Sequence, residues 1–88
     1  MEWVYILRCA DGGLYIGHTS DLAAREAHHN EGRGSSYTAV RRPVRIVYSE
    51  SYDTIQQACT RERQLKRWTR AKKEALISLR RDEAQPPR

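Results

Sequence analysis

Cysteine is scarce in this 88-residue chain. Cys9 and Cys59 stand far apart, and neither has a metal-ligand spacing. A disulfide framework in so small a protein needs more of them, so both read as free thiols, packed as small apolar residues in a reducing compartment. Long hydrophobic runs are also missing. The N-terminal apolar stretch is short and flanked by Glu2 and Arg8, which predicts no signal peptide, and no segment approaches the roughly 20 residues that span a membrane. A cytoplasmic protein with no membrane association is the expectation. There is no internal repeat and no acidic surplus, since the formal net charge is +5. A basic balance favours a polyanionic partner such as nucleic acid, with a well-solvated surface as the plainer account.

What is present divides into six elements of one α+β domain, expected over residues 1–81. "EWVYILRC" is rich in aromatic and branched residues and predicts a strand. "LYIGHT" predicts its hairpin partner, with Asp11, Gly12 and Gly13 in the turn. "TSDLAAREAHHNEG" predicts a helix capped by Thr19 or Ser20, with Asp21 at the positive end of its dipole and Gly32 at its exit. Residues 32–43 read as a loop. In "VRIVYSE", Val44, Ile46 and Tyr48 alternate as in a third strand. A helix from Asp53 or Thr54 to about Trp68 carries Ile55, Ala58, Cys59, Glu62 and Leu65 at helical steps. Thr69 breaks and recaps it, and a last helix over 70–81 turns Ala75, Leu76 and Leu79 inward. Residues 82–88 read as a disordered tail. The order ββαβαα implies a small three-stranded antiparallel sheet flanked by helices.

Trp3-Val4-Tyr5, followed by Tyr15-Ile16-Gly17, resembles the paired signature of the GIY-YIG nuclease family. The second triplet matches to the letter, while the first keeps its tyrosine and has Trp3 at the glycine position. Arg25 lies ten residues beyond Tyr15 and His29 one helical turn later, as in many members, and Glu62 matches the glutamate of a later helix. The "GRGSSYT" loop with "RRP" is similar to that of small stand-alone members. The similarity extends over residues 3–79. It implies metal-dependent hydrolysis of phosphodiester bonds in DNA, with Tyr5, Tyr15, Arg25 and His29 catalytic, Glu62 the metal ligand and Mg²⁺ or Mn²⁺ the cofactor. Many members carry an asparagine after that glutamate, whereas the one asparagine here is Asn30.

Elementary chemistry points the same way. Cleaving a phosphodiester takes an activated water, a cation on the phosphate and help for the leaving oxygen. One carboxylate with phosphate oxygens and waters is enough to hold Mg²⁺, and Glu62 can supply it. Arg25 offers a planar fork to phosphate oxygens, and on a helix it shares a face with His29. Tyr5, Tyr15 and His29 can orient the water or take its proton. A tyrosine with its ordinary pKa near ~10 needs a cation beside it to do so, and Arg25 and Mg²⁺ are the expected ones. The plainer readings are strand aromatics, an Arg25 pair with Asp21 or Glu26, a solvated histidine, and a Glu62–Lys66 pair along a helix.

Both tyrosines share a face only if the hairpin loop has an odd number of residues. The expected loop is Asp11-Gly12-Gly13, which pairs Tyr15 with Cys9 and gives Gly13 a positive φ.

Residues 61–81 carry nine basic residues and two acidic ones, a surplus larger than the net charge of the whole chain. Arg61, Arg63, Lys66, Arg67, Arg70, Lys72 and Lys73 around Trp68 make a track for a phosphate backbone, with Tyr37, Arg41 and Arg42 as further contacts. Trp68 itself reads first as core. Nothing offers base-specific readout, so backbone and shape recognition is expected. Family nucleases often carry an additional DNA-binding domain, and without one the substrate is branched or single-stranded, or is delivered by a protein partner. The alternative function is a non-catalytic nucleic-acid-binding module on the same scaffold. A basic domain that binds an acidic protein is the third reading.

Overall fold

Strand β1 (Glu2–Arg8) is the centre of a three-stranded antiparallel sheet of order β2-β1-β3, with β2 at Leu14–Thr19 and β3 at Arg45–Tyr52. The computed structural model describes residues 1–84. The helices are α1 (Leu22–Asn30), α2 (Ser36–Ala39), α3 (Ile55–Lys66) and α4 (Arg70–Ala84). The expected ββαβαα order is therefore observed, with α2 as a short addition inside the segment read as a loop. The expected tail falls largely outside the described residues, and α4 is described through Ala84. No helix among the described residues is long and apolar enough to cross a membrane.

β1 is covered on both faces, so its residues 4–7 form an unbroken run in which each is at most 1% exposed. Val4 and Ile6 join Ile16, Tyr48, Ala58, Leu65 and Ile77 under α3 and α4. Tyr5, Leu7 and Cys9 point the other way, toward Val44, Tyr15, Leu22 and Ile46. The chain has no phenylalanine. Each buried aromatic ring therefore brings a polar atom that needs a partner. Tyr48 and Tyr52 both donate to Glu50, which also receives a fork from Arg61 at 2.9 and 3.0 Å. Burial pushes the Glu50 carboxyl up, but Arg61 and the two hydroxyls outweigh it and hold the group below its ordinary value. Both cysteines are free, Cys9 buried and Cys59 half-buried.

The hairpin loop is odd, as the two-tyrosine condition requires, but it is Ala10-Asp11-Gly12. Cys9 N donates to Gly13 O at 2.8 Å and Gly12 N to Cys9 O at 2.9 Å. Tyr15 therefore faces Leu7, not Cys9, and Tyr5 faces Gly17, which leaves both tyrosines on one face. Positive φ falls on Gly12 (88°) and not on Gly13. The Asp11 carboxylate accepts from Gly13 N at 2.9 Å, and Ala10 N is drawn away to Arg41 O, so Gly13 joins the ladder.

Caps and stripes differ from expectation in instructive ways. Asp21 caps α1 by accepting from Ala24 N at 3.0 Å, because the Thr19 hydroxyl is engaged with the Asp21 backbone. Gly32, with φ 85°, takes the chain out of α1 as expected. Thr54 forms a capping box with Gln57, and Thr69 accepts from Lys72 N at 3.2 Å to start α4. In β3, Ile46 faces Leu7 while Tyr48 faces Ile6, so one extra residue, Val47, makes a bulge. Val44 and Ile46 therefore lie on the Tyr5 face and Tyr48 on the opposite one. Ile55 is exposed. In α4 the buried residue is Ile77, with Leu76 half-buried, and Ala75 and Leu79 face outward. Arg8 sets that rotation by gripping Glu74 with two bonds of 2.8 and 2.6 Å, which turns Glu74 and Ile77, three apart, to the sheet. On the outer side of β3, Asn30 accepts from Val44 N at 2.7 Å and donates to Val44 O at 2.8 Å, while Glu26 accepts from Ile46 N.

Gly12→Ala should cost about 1–2 kcal/mol in urea unfolding, the strain of a Cβ in the left-handed region. An unchanged midpoint would mean the loop relaxes to another geometry.

Candidate active site

The register Tyr5↔Gly17 builds the centre of the site. The Tyr5 ring lies across Gly17, where an added Cβ would stand 2.6 Å from the phenol oxygen and 2.8 Å from Cζ. With no side chain in the way, the Tyr5 hydroxyl reaches His29 Nε2 at 3.0 Å. His29 is fully buried on the last turn of α1, and its Nδ1 is 2.8 Å from the Thr38 hydroxyl of α2. Gly34 lies against the imidazole so closely that a Cβ there would overlap the ring. Tyr15 meets the same imidazole edge-on, with centroids 5.1 Å apart. Tyr37 stacks on Tyr15 at 6.2 Å, and Arg41 covers Tyr37 at 3.9 Å while pairing with Asp11 at 3.1 Å.

Electrostatics revises one expectation. Burial pushes the Tyr5 phenol up to about 12, and the nearby Arg25 charge lowers it by less than burial raises it. Arg25 therefore does not make Tyr5 a ready phenolate. His29 moves the other way: burial first, then the charges of Arg25 and His28, hold it below its ordinary value. The resting pair is a neutral phenol hydrogen-bonded to a neutral imidazole, with Arg25 as the local charge.

The structure thus brings Tyr5, Tyr15 and His29 into contact and sets Arg25 beside them. Glu62 sits on α3. Its carboxylate holds Lys66 Nζ at 2.7 Å and lies 3.8 Å from His18 Nε2, and its negative charge adds to the upward push on the Tyr5 phenol. Among the described residues, no group of three or more His, Cys, Asp or Glu side chains is arranged to hold a metal.

Lys66 and Lys73 line a groove of about 260 Å³ with Leu14, Tyr15, Ile16 and Tyr37. Arg63 and Arg67 are exposed. Other expected contacts are partly engaged within the fold. Arg42 donates to Ala39 O at 2.8 Å and Asn30 O at 3.3 Å. Arg70 donates to Gly12 O at 2.6 Å, and Lys72 sits 4.7 Å over Trp68. Arg61 is bound to Glu50 of β3 and lies 5.2 Å over the Trp68 ring. Trp68 packs against the core.

Three residues escaped the sequence reading. Thr38 was hidden in a presumed loop, although Ser35-x-x-Thr38 has cap spacing: Ser35 Oγ accepts from Thr38 N at 3.1 Å. His18 and Glu2 meet at 2.6 Å on the face opposite Tyr5, a pairing visible only once the register is known.

The lowered His29 value has a sign that can be checked. The unfolded chain takes up a proton near pH ~6.5, and the folded site does so only at lower pH. Stability is therefore complete above that value and falls as pH drops through the window below it. Thermal melts should lose stability between about pH 7 and pH 5, and His29→Gln should flatten that slope. Parallel slopes in the two proteins would assign the loss elsewhere.

The GIY-YIG catalytic domain model matches residues 1–75. The chain is 50% identical over 79 residues to UPF0213 proteins of Staphylococcus aureus strains Mu3 and N315, covering 90% of this chain and 96% of each relative. It is also similar to the solution NMR structure of the UPF0213 protein BH0048 from Bacillus halodurans. That likeness has 40% identity and a TM-score of 0.58, and it covers 90% of this chain and 85% of the other. With both tyrosines on one face of the β1–β2 hairpin and the domain model matched from the first strand into α4, the chain belongs to the GIY-YIG family.

Proposed function

We propose that this protein is a cytoplasmic, metal-dependent endonuclease that hydrolyses phosphodiester bonds in DNA by reading backbone and shape. The carrying observation is the buried Tyr5–His29 hydrogen bond, with Tyr15 against the same imidazole and Arg25 as its charge. With its pKa raised to about 12, Tyr5 is protonated at neutral pH. It accepts a proton from the attacking water only while passing its own proton to His29 Nε2, so the two transfers accompany attack on phosphorus. Arg25 stabilises the phenolate character that develops on Tyr5 and the negative charge on the phosphate. Tyr15 packs the imidazole in place.

Glu62 is the carboxylate that would hold a hard cation, since Mg²⁺ needs few protein ligands, and its present partner is the Lys66 ammonium one turn along α3. Bound there, Mg²⁺ or Mn²⁺ supplies charge neutralisation to the phosphate and leaving oxygen. The groove with Tyr37, Lys66 and Lys73 receives the strand beside the cut, and Arg41, Arg63, Arg67, Arg70 and Lys72 add backbone contacts. Arg42 contributes by shaping the loop at the end of α1. A branched or single-stranded substrate, or a protein partner that delivers one, suits a chain with so few sequence-reading features. The engagement of the Glu62 carboxylate by Lys66 and His18 favours the second reading, a nucleic-acid-binding module without catalysis.

A labelled panel of single strand, duplex, flap and junction DNA, incubated with Mg²⁺ or Mn²⁺, decides between them. Wild type should cut at least one substrate, and Glu62→Ala should cut it about 10²-fold more slowly or worse while still binding DNA. Binding without cleavage across the whole panel would establish the non-catalytic module.

A further inference from the structure

We infer that Thr38 is a positioning residue: its hydroxyl fixes His29 as the Nδ1–H tautomer, leaving Nε2 free to accept the Tyr5 proton. The catalytic consequence rests on the nuclease reading above, whereas the tautomer itself does not.

Both ends of the imidazole bear on where its proton sits. At one end, Tyr5 is 1% exposed, and the one group among the described residues placed to accept from its hydroxyl is His29 Nε2 at 3.0 Å. The Arg25 guanidinium, which bears on the same oxygen, is a donor only and cannot accept. If Nε2 carried the ring proton, the buried Tyr5 O–H would have no acceptor, a costly arrangement. Tyr5 therefore donates to Nε2, and in a neutral imidazole the proton then sits on Nδ1.

At the other end, Nδ1–H needs an acceptor, and Thr38 Oγ1 is 2.8 Å away with the whole residue buried. The Thr38 hydroxyl can accept because its own proton has somewhere else to go: it donates to the Ser35 carbonyl at 3.3 Å. With Nδ1–H fixed as a donor from the Tyr5 end, the Thr38 proton is left to the Ser35 side. Ser35 Oγ, at 3.0 Å, can donate into the second lone pair of Thr38 Oγ1. The sequence Tyr5 O–H to Nε2, Nδ1–H to Thr38, Thr38 O–H to Ser35 carbonyl satisfies every polar atom in it. Gly34 completes the device. Its bare Cα lies against the ring face and keeps the imidazole in the plane where both bonds form. A second group that orients a catalytic base through its far nitrogen is a recurring arrangement in hydrolases.

The test is ¹⁵N NMR of the histidine-labelled protein, with Thr38→Val and Thr38→Ser beside wild type. Valine keeps the shape and removes the hydroxyl, and serine keeps the hydroxyl. In wild type and Thr38→Ser, His29 should show a protonated Nδ1 and an unprotonated Nε2. In Thr38→Val the signals should move toward the Nε2–H form. On a cleaved substrate, Thr38→Val should lower kcat by about 10²-fold or more, with KM within a few-fold of wild type and with recovery in Thr38→Ser. A wild-type spectrum with Nε2 protonated overturns the assignment even if the valine variant does not fold. A Thr38→Val protein that keeps the Nδ1–H signature overturns it as well. Absence of wild-type cleavage alongside the expected spectra sinks the nuclease reading and leaves the tautomer assignment standing.

Discussion

The candidate site depends on one steric permission, the missing side chain at Gly17. Antiparallel pairing places Tyr5 opposite Gly17, and the ring can then lie over the neighbouring strand and not stand up from its own. That posture carries the hydroxyl to His29. It also lets α1 settle over the sheet with His29 buried, and Gly34 repeats the device on the other side of the imidazole. Two glycines thus do for the site what larger residues do for the core. They decide where two buried polar rings meet, and the rest of that face packs around the meeting point.

The scaffold was largely legible in the residues, because hydrophobic runs, turn residues and caps are local signals. Tyr15, Arg25 and His29 could be grouped from spacing, since a strand and the helix that follows it leave few ways to place them. What could not be read was anything set by register or packing. The β3 bulge at Val47 reverses the side to which Tyr48 points, and no alternation in "VRIVYSE" reveals it. The outward turn of Ala75 and Leu79 follows from Arg8 gripping Glu74, a contact between distant parts of the chain. The balance of burial against Arg25 at Tyr5 needs three-dimensional surroundings as well, and burial wins there.

The basic residues divide in a similar way. Counted along the chain, they form one dense run. In space, Arg61 belongs to the Glu50 cluster, Arg70 to the hairpin carbonyl and Lys72 to Trp68, while Lys66 and Lys73 open onto the Tyr15–Tyr37 groove. Part of the apparent surplus is thus engaged within the fold. The share that faces the groove is smaller and better placed, and Glu62 lies at its margin through Lys66.

Neighbouring residues on α3 carry opposed loads. Arg61 is bound to Glu50 on β3, and Glu62 leans toward Lys66 and His18. Consecutive helical positions point about 100° apart, so one rigid cylinder is tethered at Arg61 and aims a carboxylate at Glu62. The far tether therefore acts as an alignment pin. With Ala58 and Leu65 buried in the core as well, the direction of the Glu62 carboxylate is set by packing and by an acid it never touches.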